Sequence, residues 1–144
     1  MQSPLLEVGF PIPRWKTLAA VALATCWPSF PFSMDLDASA LSHDASVVEA
    51  YRSDPLVHSA MSARTYDSIL RTRDEATKRA PALRVPVLLL CAGDDRIISV
   101  AAAERWFERL TCRKQQRLFP GCYHELHHET VRHEVLDLID AWAA

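Results

Sequence analysis

The stretch GCYHELHHE, residues 121–129, gathers three histidines and two glutamates. His124, Glu125 and His128 satisfy H-E-x-x-H, a spacing that serves zinc chemistry. Two imidazoles one helical turn apart hold the metal, and the glutamate acts as general base on its bound water. A second chemistry needs His124 alone. A carboxylate beside its imidazole fixes the tautomer and stabilises the imidazolium, so the ring becomes a general base toward a nucleophile. Asp94 and Asp95, in GDDR at 93–96, are the carboxylates in question.

The elements around these residues bear on the choice. VPVLLLCAG, residues 85–93, is an unbroken apolar run between Pro86 and Gly93, the pattern of a strand covered on both faces. A helix over 100–110 follows, with Ala103, Phe107 and Leu110 on one face, then a short strand QQRLFP at 115–120. A last helix carries Val131, Val135, Leu138, Ile139 and Trp142 in helical phase. This is a right-handed β-α-β unit with a closing helix. GDDR and the histidine loop then leave the carboxyl ends of adjacent parallel strands, where α/β sheets place active groups. Zinc chemistry requires both rings inside a helix, and Pro120 and Gly121 stand just before the motif. Val131 and Glu134 occupy the positions of the glycine and third histidine of the extended zinc pattern. His127, His128 and Glu129 read as a helix start, with Glu129 favourable to the helix dipole, and Glu125 as a loop charge.

Residues 1–80 read as helical and irregular, with no convincing strand. One helix spans 14–26 and stops at WPSFPF. Residues 33–44 read as a loop, Asp44 as the N-cap of a short helix, and 59–80 as a longer helix. The 144 residues carry a net charge of −2, which gives no basic surface for nucleic acid. Four cysteines without a C-x-x-C pair read as buried free thiols in a reducing compartment. Met1 is followed by polar residues and a proline, so no signal peptide is read and a cytoplasmic location is expected.

SPLL at 3–6, YRSDPLV at 51–57, VPVLLLCAGDDRI, FPGCYHELHHE and VLDLIDAW together resemble the monoacylglycerol lipase and lysophospholipase branch of the α/β-hydrolases, also described as serine aminopeptidase-like. The resemblance implies an α/β fold: the C-terminal portion of an α/β-hydrolase, with its last two parallel strands and their helices, preceded by a mostly helical cap. It divides the chain into the end of a core strand (1–9), a cap (10–80) and the C-terminal core (81–144). It makes Asp95, directly before Arg96, the triad acid and His124 the base, without cofactor or metal, and the substrate a lipid carboxylic ester. Trp15, Leu18, Val21, Ala22, Trp27, Phe30 and Phe32 offer an apolar cap surface for an acyl chain or for peripheral membrane contact.

Glycine occurs only at 9, 93 and 121, so no serine here sits in a G-x-S-x-G elbow. In the resembled family, elbow and oxyanion hole precede the cap. The expected reading is the C-terminal half of a serine hydrolase, inactive without the N-terminal half of the fold. It is also expected to fold poorly alone, because VPVLLL would keep an unpaired edge. The alternatives are a non-catalytic remnant of a truncated gene and a zinc metallopeptidase using His124, Glu125 and His128.

Overall fold

A computed structural model describes residues 1–34 and 36–144. Asp35, within the stretch read as a loop, lies outside the described residues. Helix α1 spans Arg14–Cys26, and strand β1 covers Pro31–Ser33. After a 3-10 turn at Ala38–Ala40 comes α2, Ala45–Ser53. Asp44 caps α2 as expected, its carboxylate accepting from Ser46 N–H at 2.8 Å. Strand β2, Ala60–Ser62, runs directly into α3, Ala63–Arg79. The second half holds β3 (Val87–Ala92), α4 (Val100–Glu108), β4 (Lys114–Phe119) and α5 (Arg132–Ala143).

Two expectations are corrected here. The first eighty residues do contain strands, because β1 and β2 pair antiparallel, Pro31 beside Ser62 and Ser33 beside Ala60. The long helix consequently starts at Ala63, not near residue 59, with Ser62 as its N-cap. Nor is β3 left with a bare edge. Leu90 N–H donates to Met1 O at 2.9 Å, and Ser3 N–H to Leu90 O at 3.1 Å, so the first residues run parallel beside it.

On its other side β3 pairs with β4 in parallel, from Val87 beside Lys114 to Ala92 beside Phe119. Every residue of β3 is buried, and its alternating side chains feed two cores. Leu88, Leu90 and Ala92 meet Phe119, Leu126 and Val135, with Trp142 at the margin. Leu89 and Cys91 meet Ala103 of α4, while Val87 meets Trp106 and Leu110. Burying Leu89 or Leu90 contributes about 1.5–3 kcal/mol each. Trp106 extends the expected α4 face: its indole N–H donates to Ala76 O at 3.1 Å and ties α4 to α3. Ile139 does not join the buried stripe of α5 and stays 40% exposed. Lys114 Nζ donates to Phe107, Glu108 and Leu110 carbonyls, closing the C-terminal end of α4 where a cation is favoured.

The loops leaving β3 and β4 touch at once. Gly93 N–H donates to Phe119 O at 2.8 Å, and Asp94 N–H to Cys122 O at 3.0 Å. A Cβ on Gly93 would stand 2.9 Å from Pro120 Cα and 3.0 Å from Phe119 O, both backbone atoms that cannot step aside. Gly121, with φ +74°, makes the following turn in the left-handed region. Gly93→Ala is therefore expected to destabilise the fold by about 1–3 kcal/mol, read as a lowered midpoint in urea denaturation.

Candidate active site

The register that sets Ala92 beside Phe119 brings Asp95 and His124 together, 29 residues apart in sequence. His124 Nδ1 lies 2.8 Å from Asp95 Oδ2. An ionised carboxylate can only accept, so Nδ1 carries the hydrogen and Nε2 keeps its lone pair. The Asp95 side chain is 1% exposed and that of His124 is 23% exposed, a carboxylate in the interior with an imidazole reaching outward. Asp95 Oδ1 also accepts from Ile97 N–H at 2.9 Å and Ile98 N–H at 3.0 Å. Burial is the largest single influence on the Asp95 carboxyl and pushes it up. The His124 bond, the Ile98 and Ile97 N–H groups and the His124 charge together outweigh burial and hold it below the ordinary 3.8. Asp94, the other carboxylate considered, is exposed.

The backbone of His124 is held from two further segments. Its N–H donates to Ala40 O at 3.4 Å, and its carbonyl accepts from Gln2 Nε2 and Ser3 Oγ, each at 3.2 Å. Glu125 N–H donates to Leu41 O at 2.9 Å, and Ser42 Oγ to His128 O at 2.7 Å.

Glu129 is the residue that sequence reasoning misread. It is buried and lies between the 3-10 turn and α5 instead of in a helix's first turn, and its Oε1 accepts from Tyr123 N–H at 3.3 Å and His43 N–H at 2.9 Å. His43 Nδ1 lies 3.1 Å from both carboxylate oxygens. The His43 ring stacks on Tyr123 with centroids 3.7 Å apart, and the Arg96 guanidinium sits 4.8 Å from the Tyr123 centroid. Nothing in local spacing announces a contact across 86 residues.

The zinc geometry is not assembled. Leu126–His128 is a 3-10 turn, so His124 and His128 are not one α-helical turn apart, and the His124 ring is engaged by Asp95. Glu125 is paired with His128, its Oε2 lying 2.6 Å from His128 Nδ1. His133 is exposed. Of the four cysteines read as buried, Cys26 is exposed and Cys112 half-buried, while Cys91 and Cys122 are buried. Burial and then the Glu104 charge push the Cys91 thiol up to about 11, and burial followed by Glu129 pushes Cys122 up too. Both are packing groups, poor in thiolate at neutral pH.

A family model described as serine aminopeptidase, S33, matches residues 1–131. The chain belongs to this family. Among S33 relatives, the monoacylglycerol lipase of Mycolicibacterium smegmatis is 34% identical over 129 residues, 87% of this chain and 46% of that protein. Phospholipase YtpA of Bacillus subtilis is 29% identical over 137 residues, 94% of this chain and 53% of its own length. The crystal structure of Paleococcus ferrophilus monoacylglycerol lipase superposes with a TM-score of 0.92 at 31% identity, covering 98% of this chain and 56% of that one. This S33 chain thus spans about half the length of these relatives, and its fold is the C-terminal portion of an α/β-hydrolase.

The Asp95 carboxyl couples the site to pH. Unfolded, it titrates near 3.8; folded, it titrates lower. Between the two values the unfolded chain binds more protons, so stability rises with pH there. The contribution is whole well above 3.8 and is lost as pH falls through the folded value. Asp95→Asn should lower stability by about 2 kcal/mol at neutral pH. The denaturation midpoints of the two proteins should converge as the pH drops below 3.8.

Proposed function

We propose that these residues supply the acid–base machinery of a serine hydrolase that cleaves carboxylic esters of lipids, monoacylglycerols or lysophospholipids. The observation that carries this reading is the 2.8 Å contact between a buried Asp95 and a partly exposed His124 at the carboxyl ends of adjacent parallel strands. His124 Nε2 takes the proton of a serine hydroxyl as it attacks the ester carbonyl, then delivers that proton to the departing alcohol. In deacylation the same nitrogen takes a proton from water and returns it to the serine. Asp95 holds the tautomer and stabilises the imidazolium without itself becoming protonated. The serine belongs to a G-x-S-x-G elbow, which these residues do not contain, so the segment alone is inert.

In this reading residues 1–9 end a core strand, 10–80 form a cap and 81–144 complete the core. Two features of the cap, and the relatives named above, support a lipid substrate. A cavity of about 350 Å³ is lined by Phe10, Ile12, Ala20, Phe32 and Tyr66, room for part of an acyl chain. Trp15, Leu18 and Trp27 are 67%, 70% and 57% exposed, a surface suited to resting on a lipid interface. The relatives named above are a monoacylglycerol lipase and a phospholipase. No helix among the described residues is long and apolar enough to cross a membrane.

Translating the nucleotides upstream of the Met1 codon should reveal a G-x-S-x-G elbow. The protein carrying it should hydrolyse a monoacylglycerol, with kcat falling about 10⁴-fold in His124→Ala, whereas residues 1–144 alone should show no turnover. Ester hydrolysis by residues 1–144, abolished in His124→Ala, would show that a nucleophile lies within them and overturn the division of labour.

A further inference from the structure

Next to His124 stand three donor-bearing side chains that the hydrolytic chemistry does not use. One ligand atom from each of Glu125, His127 and His128 falls within 4.8 Å of the others. They ride on an ordered turn. His128 N–H donates to Glu125 O at 2.7 Å, Glu129 N–H to Leu126 O at 3.3 Å, and fully buried Leu126 anchors the segment. The His127 and His128 ring centroids are 4.2 Å apart.

Gln2 settles which nitrogen His127 presents. Its Nε2 donates to His124 O at 3.2 Å, which turns Oε1 toward His127 Nδ1 at 3.3 Å. A carbonyl oxygen only accepts, so Nδ1 holds the hydrogen and Nε2 carries the free lone pair. An outer amide or carboxylate on one ring nitrogen is how metal-binding histidines are held for coordination through the other.

We propose that Glu125, His127 and His128 form a binding site for a divalent transition-metal cation of the zinc type, with water completing a tetrahedron. Two imidazoles and one carboxylate are a nitrogen-rich set that suits zinc, whereas calcium and magnesium take oxygen ligands. Bonds of about 2.0–2.2 Å set tetrahedral ligands about 3.3 Å apart. Glu125 Oε2 and His128 Nδ1, now 2.6 Å apart, open slightly as the metal replaces the proton they share. His127 closes inward, and the Glu125 and His128 side chains, 26% and 44% exposed, have room to adjust. This is not the H-E-x-x-H arrangement, because His124 stays on Asp95. The site also stands whether or not the hydrolase reading does, since it borrows none of that machinery.

The test is titration of the protein with ZnCl₂ by calorimetry, and with CoCl₂ by visible absorption. Binding of one equivalent is expected, with the absorption of tetrahedral cobalt. Affinity should fall at least tenfold in His127→Ala and in His128→Ala, and about tenfold in Gln2→Ala. It should be retained in His124→Ala. His127 and His128 are exposed, and circular dichroism of each variant would establish that the fold is kept. Absence of binding overturns the proposal, as does affinity that survives His127→Ala but is lost in His124→Ala.

Discussion

The parallel pairing of β3 with β4 is the constraint on which everything else rests. Its register sets Ala92 beside Phe119, so the two chains leave the sheet at the same end and their loops have no separate paths. The close approach at Gly93 then presses one loop against the other. From that point the meeting of Asp95 with His124 needs no further adjustment of the backbone than the turn at Gly121. The sheet is held by burial of all six β3 residues, with residues 1–3 on one side of β3 and β4 on the other.

A second layer of constraint comes from outside the sheet. Residues 40–43 lie along the histidine loop and bond to it at His124, Glu125, His128 and Glu129. The buried Glu129 carboxylate joins that segment to Tyr123, the residue before His124. A buried carboxylate is tolerable only when its oxygens are well supplied with donors, and here both are served. The His124 ring is thus held by its own carboxylate, and its backbone by residues 2–3 and 40–43 from distant parts of the chain.

Much of this was legible from the residues. VPVLLL announced a strand covered on both faces because no polar position interrupts it. Helix α1 was bounded by the prolines of WPSFPF, and its limits at Arg14 and Cys26 match the reading. The triad-like pair followed from strand, loop and chain order together with the resemblance. What escaped was long-range. Strands β1 and β2 have three residues each, too few for alternation to show, and exist because they find one another. Glu129 reads as a charge for a helix dipole, and its partners His43 and Tyr123 are visible only in the fold. Ile139 sits within the helical phase of α5, yet the core beneath ends at Leu138 and Trp142.

The His43–Glu129 contact has a consequence for how the molecule comes together. It closes a loop of 86 residues, and loop closure must be offset before such a contact returns anything. Contacts of that span form late, after the local helices and the β3–α4–β4 unit. That order would complete the histidine loop after the sheet, and an opening confined to residues 40–43 would release it with the β3–β4 pairing kept. Ordering of the histidine loop and burial of the core would then be separable events along the same pathway.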